Sequence, residues 1–229
     1  NYFINKADTP LDEDGRPDFE NINTVDLPLF NQHLADLIAG RPVQLPIFDF
    51  VTGTRASATV PCQMEEDNIL LIEGIHALNP ILTDAIPKAQ KRTIYVSCLT
   101  QLNLDPLVPI SSSDNRLLRR MIRDMRSRNT SPEETLYHWP AVRKGEGKNI
   151  FPFQEQADFY FNSSLIYELP ALRPLIDSRL QVVGPDSAVY GEAQRLLEFL
   201  QYFIPAQPRC IPAHSILQEF LGNGCFDIE

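Results

Sequence analysis

Leu27, Phe30, Leu34, Leu37 and Ile38 recur three or four positions apart, the stripe of an amphipathic helix over residues 24–40. Thr24 is its candidate N-cap, Pro28 falls in its early turns, and Gly40 closes it in the C-cap position. Residues 42–50 (PVQLPIFDF) read as extended, residues 52–55 as a turn, and residues 58–64 as a short returning strand. Ile69, Leu70, Leu71 and Ile72 then follow without alternation, as expected of a strand buried on both faces of a parallel sheet. A short helix is predicted around residues 80–86, and a second buried strand over RTIYVSC, residues 92–98.

The pattern then turns helical. Leu117, Leu118, Met121 and Ile122 give residues 114–128 an apolar stripe, with Asp114 as candidate N-cap. Ser131-Pro132-Glu133-Glu134 opens another helix, with proline at its first position and acids in its first turn, predicted to run to about Trp139-Pro140. ADFYFNS, residues 157–163, reads as a strand. Residues 165–175 read as helical but broken by Pro170, and residues 186–203 as a long amphipathic helix. The tail carries SILQEFLG, a short helix expected to pack back. Residues 1–23 read as a loop, with Thr9-Pro10, Asp14-Gly15 and Arg16-Pro17 as turn formers. The fold class is α/β, and no internal repeat or low-complexity linker divides the chain. Residues 1–229 form one domain, and residues 186–229 are a helical C-terminal extension.

Composition narrows this picture. A hydrophobic fraction of 43% in 229 residues supports a real core. No apolar run approaches the roughly 20 residues of a membrane span, and no signal peptide is visible. Cys62, Cys98, Cys210 and Cys225 are scattered, so they read as reduced packing residues of a cytoplasmic protein. A net charge of -10 argues against general nucleic-acid affinity. Yet Arg116, Arg119, Arg120, Arg123, Arg126 and Arg128 crowd one segment, which points to a specific anion. The chain opens on Asn1 with no methionine, like the middle of a protein.

The candidate chemistry follows from these placements. Glu73-Gly74 ends the apolar run, and ligands of open α/β sheets bind at carboxyl ends of strands. Glu73 therefore reads either as a magnesium ligand or as a strand-end acid facing water. Arg116, Arg119, Arg120 and Arg123 recur at helical spacing, while only Asp114 and Asp124 lie in the helix to pair with them. Guanidinium forks match phosphate oxygens, so anion binding is preferred there over a solvated face. Asp49, between two aromatics before a Gly turn, could contact a sugar while a ring stacks on a base, but by itself reads better as a turn cap. Asp18-Phe19-Glu20 is ambiguous. Residues 142–153 combine Arg143, Lys144 and Lys148 with two glycines, as either a mobile basic loop closing on phosphate or a solvated one. Nothing fits GxxxxGK[ST]. The four histidines form no ligand spacing, and His76 reads as structural.

In their order these pieces resemble the uridine kinase and phosphoribulokinase group of P-loop kinases. The matching segments are NYF, PDFEN, IFDFVTGTR, LLIEGIHALN, DNRLLRRMIRDMRSRN and ADFYFNS, together covering roughly residues 1–165. The block WPAVRKGEGKNIFPFQEQADFYFNSSLIYEL is similar to bacterial uridine kinase-like proteins, which often carry upstream domains similar to the N-terminal part of threonyl-tRNA synthetase. The resemblance implies a P-loop kinase-like parallel sheet flanked by helices, lacking its first strand and phosphate loop. It implies ATP as donor, Mg2+ as cofactor, and a nucleoside (uridine- or cytidine-like) as acceptor. The phosphate loop and catalytic Asp would lie upstream, so the piece in hand is expected to be inactive alone. It also implies Glu73 in the magnesium shell, Glu20 on ribose hydroxyls, and Phe48 and Asp49 in the nucleoside pocket. Arg116 and Arg119 would meet substrate and phosphate, with Arg123 and Arg128 in the lid, so that Arg119, Arg123 and Arg128 are the expected catalytic residues. Four positions depart from the family pattern: Glu20 for Asp, Phe48 for Tyr, Gly53 for His and Asn129 for Gly. These place base selectivity in question while sparing phosphoryl transfer. The rival expectation is a non-catalytic nucleotide- or phosphate-binding regulatory module; oligomerisation is left open.

Overall fold

A computed structural model describes residues 1–222, 224 and 225. The chain divides into two compact units, residues 1–95 with 142–160, and residues 96–141 with 161–229. The architecture is α/β, with a parallel strand pair and helices before and after it in the chain. Among the described residues no helix is long and apolar enough to cross a membrane.

In the first unit, α1 (Leu27–Ile38) is capped by Asp26, whose Oδ1 accepts from the Leu29 N–H at 3.1 Å. Thr24, the expected cap, is buried and donates instead to the Asn21 carbonyl. Gly40, one residue past the Ala39 C-cap, takes φ +70°, the left-handed turn that glycine tolerates. Phe30 and Leu34 of α1 pack with Leu82 and Ile86, and Tyr2, Val25, Leu27 and Ile72 lean on this cluster. β1 (Val43–Asp49) and β2 (Thr54–Cys62) form the expected antiparallel hairpin, with Val43 opposite Cys62 and Asp49 opposite Thr54. Its register slips between Pro46 and Phe48, where proline offers no N–H to the ladder. Arg55 ties β2 to the chain start through Asp26 and the Tyr2 and Phe3 carbonyls.

The apolar run at residues 69–72 is not a strand, which corrects the sequence expectation. Ile69 and Leu71 are 94% and 85% exposed, and only Ile72 reaches the core. A parallel strand exists only where a neighbour takes its N–H and C=O groups. Among the described residues, the backbone of residues 69–73 makes no such bond. Glu73 accordingly ends an irregular segment rather than a sheet strand.

The parallel pair joins β3 (Ile94–Ser97) and β6 (Phe159–Asn162). Phe159 N–H donates to Thr93 O, and Ser163 N–H to Ser97 O, a constant offset that fixes the parallel direction. Side chains hold both ends: the Asp158 carboxylate takes the Thr93 N–H and hydroxyl, and the Asn162 amide brackets the Leu99 backbone. A short hairpin, β4 (Asn103–Asp105) with β5 (Val108–Pro109), follows β3.

α2 (Ser112–Ser127) is capped by Ser111, not Asp114, which instead pairs with Arg195 at 2.8 Å. α3 (Pro132–Asn149) opens as predicted, with the Glu134 carboxylate returned onto the Ser131 N–H and hydroxyl. It runs through Pro140 instead of stopping there, and the predicted basic loop of residues 142–153 is helical up to Asn149 and again in α4 (Phe151–Gln154). An internal proline costs about 3 kcal/mol. The helix tolerates it because its start is capped and its far end is tied by the Asn149 amide to the Glu20 carbonyl.

The second unit is a helical core. α5 (Glu168–Leu180) continues past Pro170, whose missing N–H falls in the first turn where no partner is due. Pro174 leaves the Pro170 carbonyl without its helical donor, and the Ala206 N–H takes that carbonyl at 2.9 Å. α5 packs on α6 (Tyr190–Leu200, shorter than expected) and on α2, and α2 packs on α7 (Gln218–Leu221). Leu117, Leu118, Met121, Ile122, Leu172, Ile176, Leu196 and Leu217 are fully buried along these helices. The predicted C-terminal extension is thus helical over α6 and α7, while residues 223 and 226–229 lie outside the described residues. Leu118→Ala should lower stability by about 2–5 kcal/mol in urea unfolding; a loss below 1 kcal/mol would show that this helix does not seat the core.

Candidate functional site

The α2 arginines divide into two groups by what they touch. Arg119 is 13% exposed on its side chain and faces Glu168, whose side chain is fully buried. Its Nε and Nη2 meet the two Glu168 oxygens, its Nη1 donates to Ser163 Oγ at 2.9 Å, and Nη2 also reaches the Ser163 carbonyl. The guanidinium stacks 5.5 Å from the Phe220 ring centre. Burial disfavours the charge of Arg119, but the bonds to Glu168 outweigh it and hold the group more firmly protonated than usual. Cys98 borders this cluster, 3.9 Å from Glu168 Oε2, and burial followed by the Glu168 charge pushes its thiol pKa up.

One turn further on, Arg123 is exposed and its guanidinium has no hydrogen bond or ion pair among the described residues. Partial burial of the group, then the charge of Arg128, lower its pKa, with Arg120 adding to them and Asp124 and Glu219 opposing. Asp124, nearly buried, accepts from Arg120 at 3.2 Å and Arg128 at 3.0 Å. Arg126 donates to the Glu219 carbonyl, and Arg116 is half-buried on the same helix. α2 therefore ends in several guanidinium groups that share one buried carboxylate, an arrangement that an incoming anion relieves. Asn129, just past the helix, has φ +51°. This is the left-handed conformation in which asparagine substitutes for glycine at low cost, so this departure from the family pattern leaves the turn intact.

The other expected site residues lie in the first unit. Glu20 sits in a turn, half-buried: its N–H donates to Asp18 Oδ1 and its carbonyl accepts from Asn149. A Cβ on Gly145 would stand 2.6 Å from the Glu20 Cβ and Cγ, so α3 approaches Glu20 closely only because position 145 is glycine. Phe48 packs edge-on against Phe3 and Phe50. Asp49 Oδ1 accepts from the Val51 and Thr52 N–H groups, and the Val51 bond is the main cause of its lowered pKa. This is the turn-capping role that sequence reasoning preferred for it. Gly53 has φ +70°, and a Cβ there would lie 2.8 Å from Lys6 Cβ, so no larger side chain enters this turn unchanged. Glu73 is exposed beside Gly74. Among the described residues no three His, Cys, Asp or Glu side chains form a metal cage. One exposed carboxylate fits the sparse protein contribution typical of magnesium sites, where substrate phosphates and water complete the shell.

Residues 6–166 match the Phosphoribulokinase / Uridine kinase family. The chain belongs to that family. It is 28% identical over 159 residues to a uridine kinase of Staphylococcus carnosus (strain TM300), covering 69% of this chain and 67% of the relative. Comparable similarity is found to a uridine kinase of Lactobacillus helveticus (strain DPC 4571), 24% identical over 158 residues, covering 69% of this chain and 66% of the relative. For that of Cronobacter sakazakii (strain ATCC BAA-894), identity is 28% over 159 residues with the same coverage. The chain thus spans about two thirds of the length of the curated relatives it matches.

Sequence reasoning missed Glu168 and Ser163, the partners of Arg119. The signal was a lone acid inside the apolar stretch LIYELPAL, since a carboxylate among such neighbours calls for a counter-charge. The two arginines should separate in stability measurements. Arg119→Ala strands the buried Glu168 and should cost about 3–5 kcal/mol, whereas Arg123→Ala should stay within about 0.5 kcal/mol. Equal losses in urea unfolding would contradict the division.

Proposed function

We propose that this chain forms part of a kinase that transfers the γ-phosphoryl group of ATP to a nucleoside hydroxyl. Membership of the family supports the reaction class, and the exposed, mutually repelling Arg123 and Arg128 on α2 are the observation that carries the mechanism. Phosphoryl transfer is catalysed mainly by positioned positive charge, because charge accumulates on the transferring oxygens. In this reading Arg123 and Arg128 neutralise that charge, with Arg116 on the substrate side. Glu20 accepts hydrogen bonds from the acceptor sugar, and the Phe48 ring lines its pocket with Asp49 holding the adjacent turn. Glu73 would hold Mg2+, which when bound screens the phosphates. Arg119 anchors α2 instead of touching the phosphate, a change from the role implied by resemblance.

The reading also needs a phosphate-binding loop and a base for the hydroxyl, and no GxxxxGK[ST] occurs in these 229 residues. The alternative reading is a kinase-derived module that binds a nucleotide or phosphorylated ligand and regulates attached domains. The coding sequence contiguous with residue 1 separates the two. A GxxxxGK[ST] within about 30 residues, one strand-loop-helix unit, supports the enzyme and its absence supports the module. The same stretch tests the expectation of synthetase-like upstream domains.

In the full-length protein, Arg123→Ala should reduce turnover by about 10³-fold, the scale of a lost transition-state arginine. Glu73→Gln should raise the magnesium concentration needed for half-maximal rate. Steady-state assays over ATP and magnesium check both, and near-normal turnover in Arg123→Ala would remove that arginine from the mechanism.

A further inference from the structure

Arg119, Arg123 and Arg126 fall at i, i+4 and i+7 of α2, so they share one face. α7, in the same compact unit, packs on α2 there. The Phe220 ring centre stands 5.5 Å from the Arg119 guanidinium, and Arg126 Nη1 donates to the Glu219 carbonyl at 2.7 Å. α7 ends on Gly222, whose left-handed φ of +82° returns its N–H to the Gln218 carbonyl at 2.8 Å. A Cβ there would lie 2.8 Å from Arg126 Nη2, so the bare glycine lets that guanidinium close on the helix end. Leu217 is fully buried and Phe220 is 7% exposed, which seats the segment firmly. It lies beyond residue 166, where the family match ends.

These contacts take the first and third arginines of the face and leave the middle one open. Burial and then the Arg128 charge lower the pKa of Arg123, and two carboxylates oppose them, Asp124 and Glu219. Asp124 is nearly buried and already shared by Arg120 and Arg128. Glu219 differs: it is exposed, and its carboxylate has no hydrogen bond or ion pair among the described residues. It therefore stands near enough to act on Arg123 without closing on it. A carboxylate offers a guanidinium fork the same kind of oxygen pair as a phosphate. We propose that α7 is an internal competitor for the arginine face of α2, in which the Glu219 carboxylate contests Arg123 with the phosphates of ATP. Nucleotide binding then has to displace a tethered anion, so the C-terminal segment sets the affinity of the phosphate site. This rests on the nucleoside-kinase reading above.

The test is the dissociation constant of ATP with magnesium, measured by calorimetry on the full-length protein without acceptor. Arg126 holds the carbonyl of residue 219 and not its side chain, so Glu219→Gln removes the charge while keeping the contact that seats α7. This variant should bind ATP about threefold more tightly, the scale of one exposed charge pair. The gain should vanish when Arg123→Ala is the background, because the carboxylate then has nothing to contest. Unchanged or weaker binding in Glu219→Gln, or an equal gain in both backgrounds, overturns the proposal. The two readings fail separately. If Arg123→Ala weakens ATP binding while Glu219→Gln changes nothing, Arg123 keeps its phosphate role and only the competition is lost. If Arg123→Ala binds ATP as tightly as the wild type, or the wild type does not bind it, the proposed function of Arg123 fails and the competition falls with it.

Discussion

A guanidinium withdrawn from water must meet its counter-charge and fill its donor sites, or its helix does not dock. Arg119 does both. Glu168 supplies the charge, and the Ser163 hydroxyl and carbonyl take remaining donors. The contact joins the middle of α2 to the residue just after β6 and to the first residue of α5. It also decides which way α2 faces. With Arg119 turned inward beside Leu117, Leu118 and Ile122, Arg123 one turn later stands exposed near Arg128, while Asp124 is drawn under Arg120 and Arg128. A buried pair of this kind adds little net stability over an apolar one, so its value here is orientation.

A comparable constraint acts in the first unit. The turn holding Glu20 is fixed from its own side by Asp18, and from α3 by the Asn149 amide and by the bare backbone of Gly145. Glycine inside a helix normally costs about 1 kcal/mol, and at this position it purchases the close approach. The Glu20 carboxylate, which we propose meets the acceptor sugar, is thereby placed by packing and backbone bonds, as a binding group must be if its geometry is to be reproducible.

Much of this was legible in the sequence, wherever the deciding interaction is local. The stripe of α1, the hairpin around Gly53 and the capping box at Ser131 each depend on neighbours within a few residues. Residues 69–72 failed for the opposite reason: an apolar run becomes a strand only through a partner far along the chain. Pro140 reads locally as a stop, but capping at one end of α3 and anchoring at the other are not visible at position 140. The arginines taught the same lesson. Counting acids within the helix suggested that they lacked partners, whereas the partner of Arg119 lies 49 residues away in α5. Membership of the phosphoribulokinase/uridine kinase family was carried by the order of short motifs, each weak when taken singly.

Within α2, Arg119 serves as anchor, and Arg123, one turn on, is the proposed ligand for phosphate. Arginine Nε–Hε resonances of the full-length protein, recorded before and after addition of ATP with magnesium, report on both groups in one spectrum. The Arg119 signal should be protected from exchange and unmoved by nucleotide, while that of Arg123 should shift or sharpen on binding. A shift at Arg119 with none at Arg123 would contradict the account.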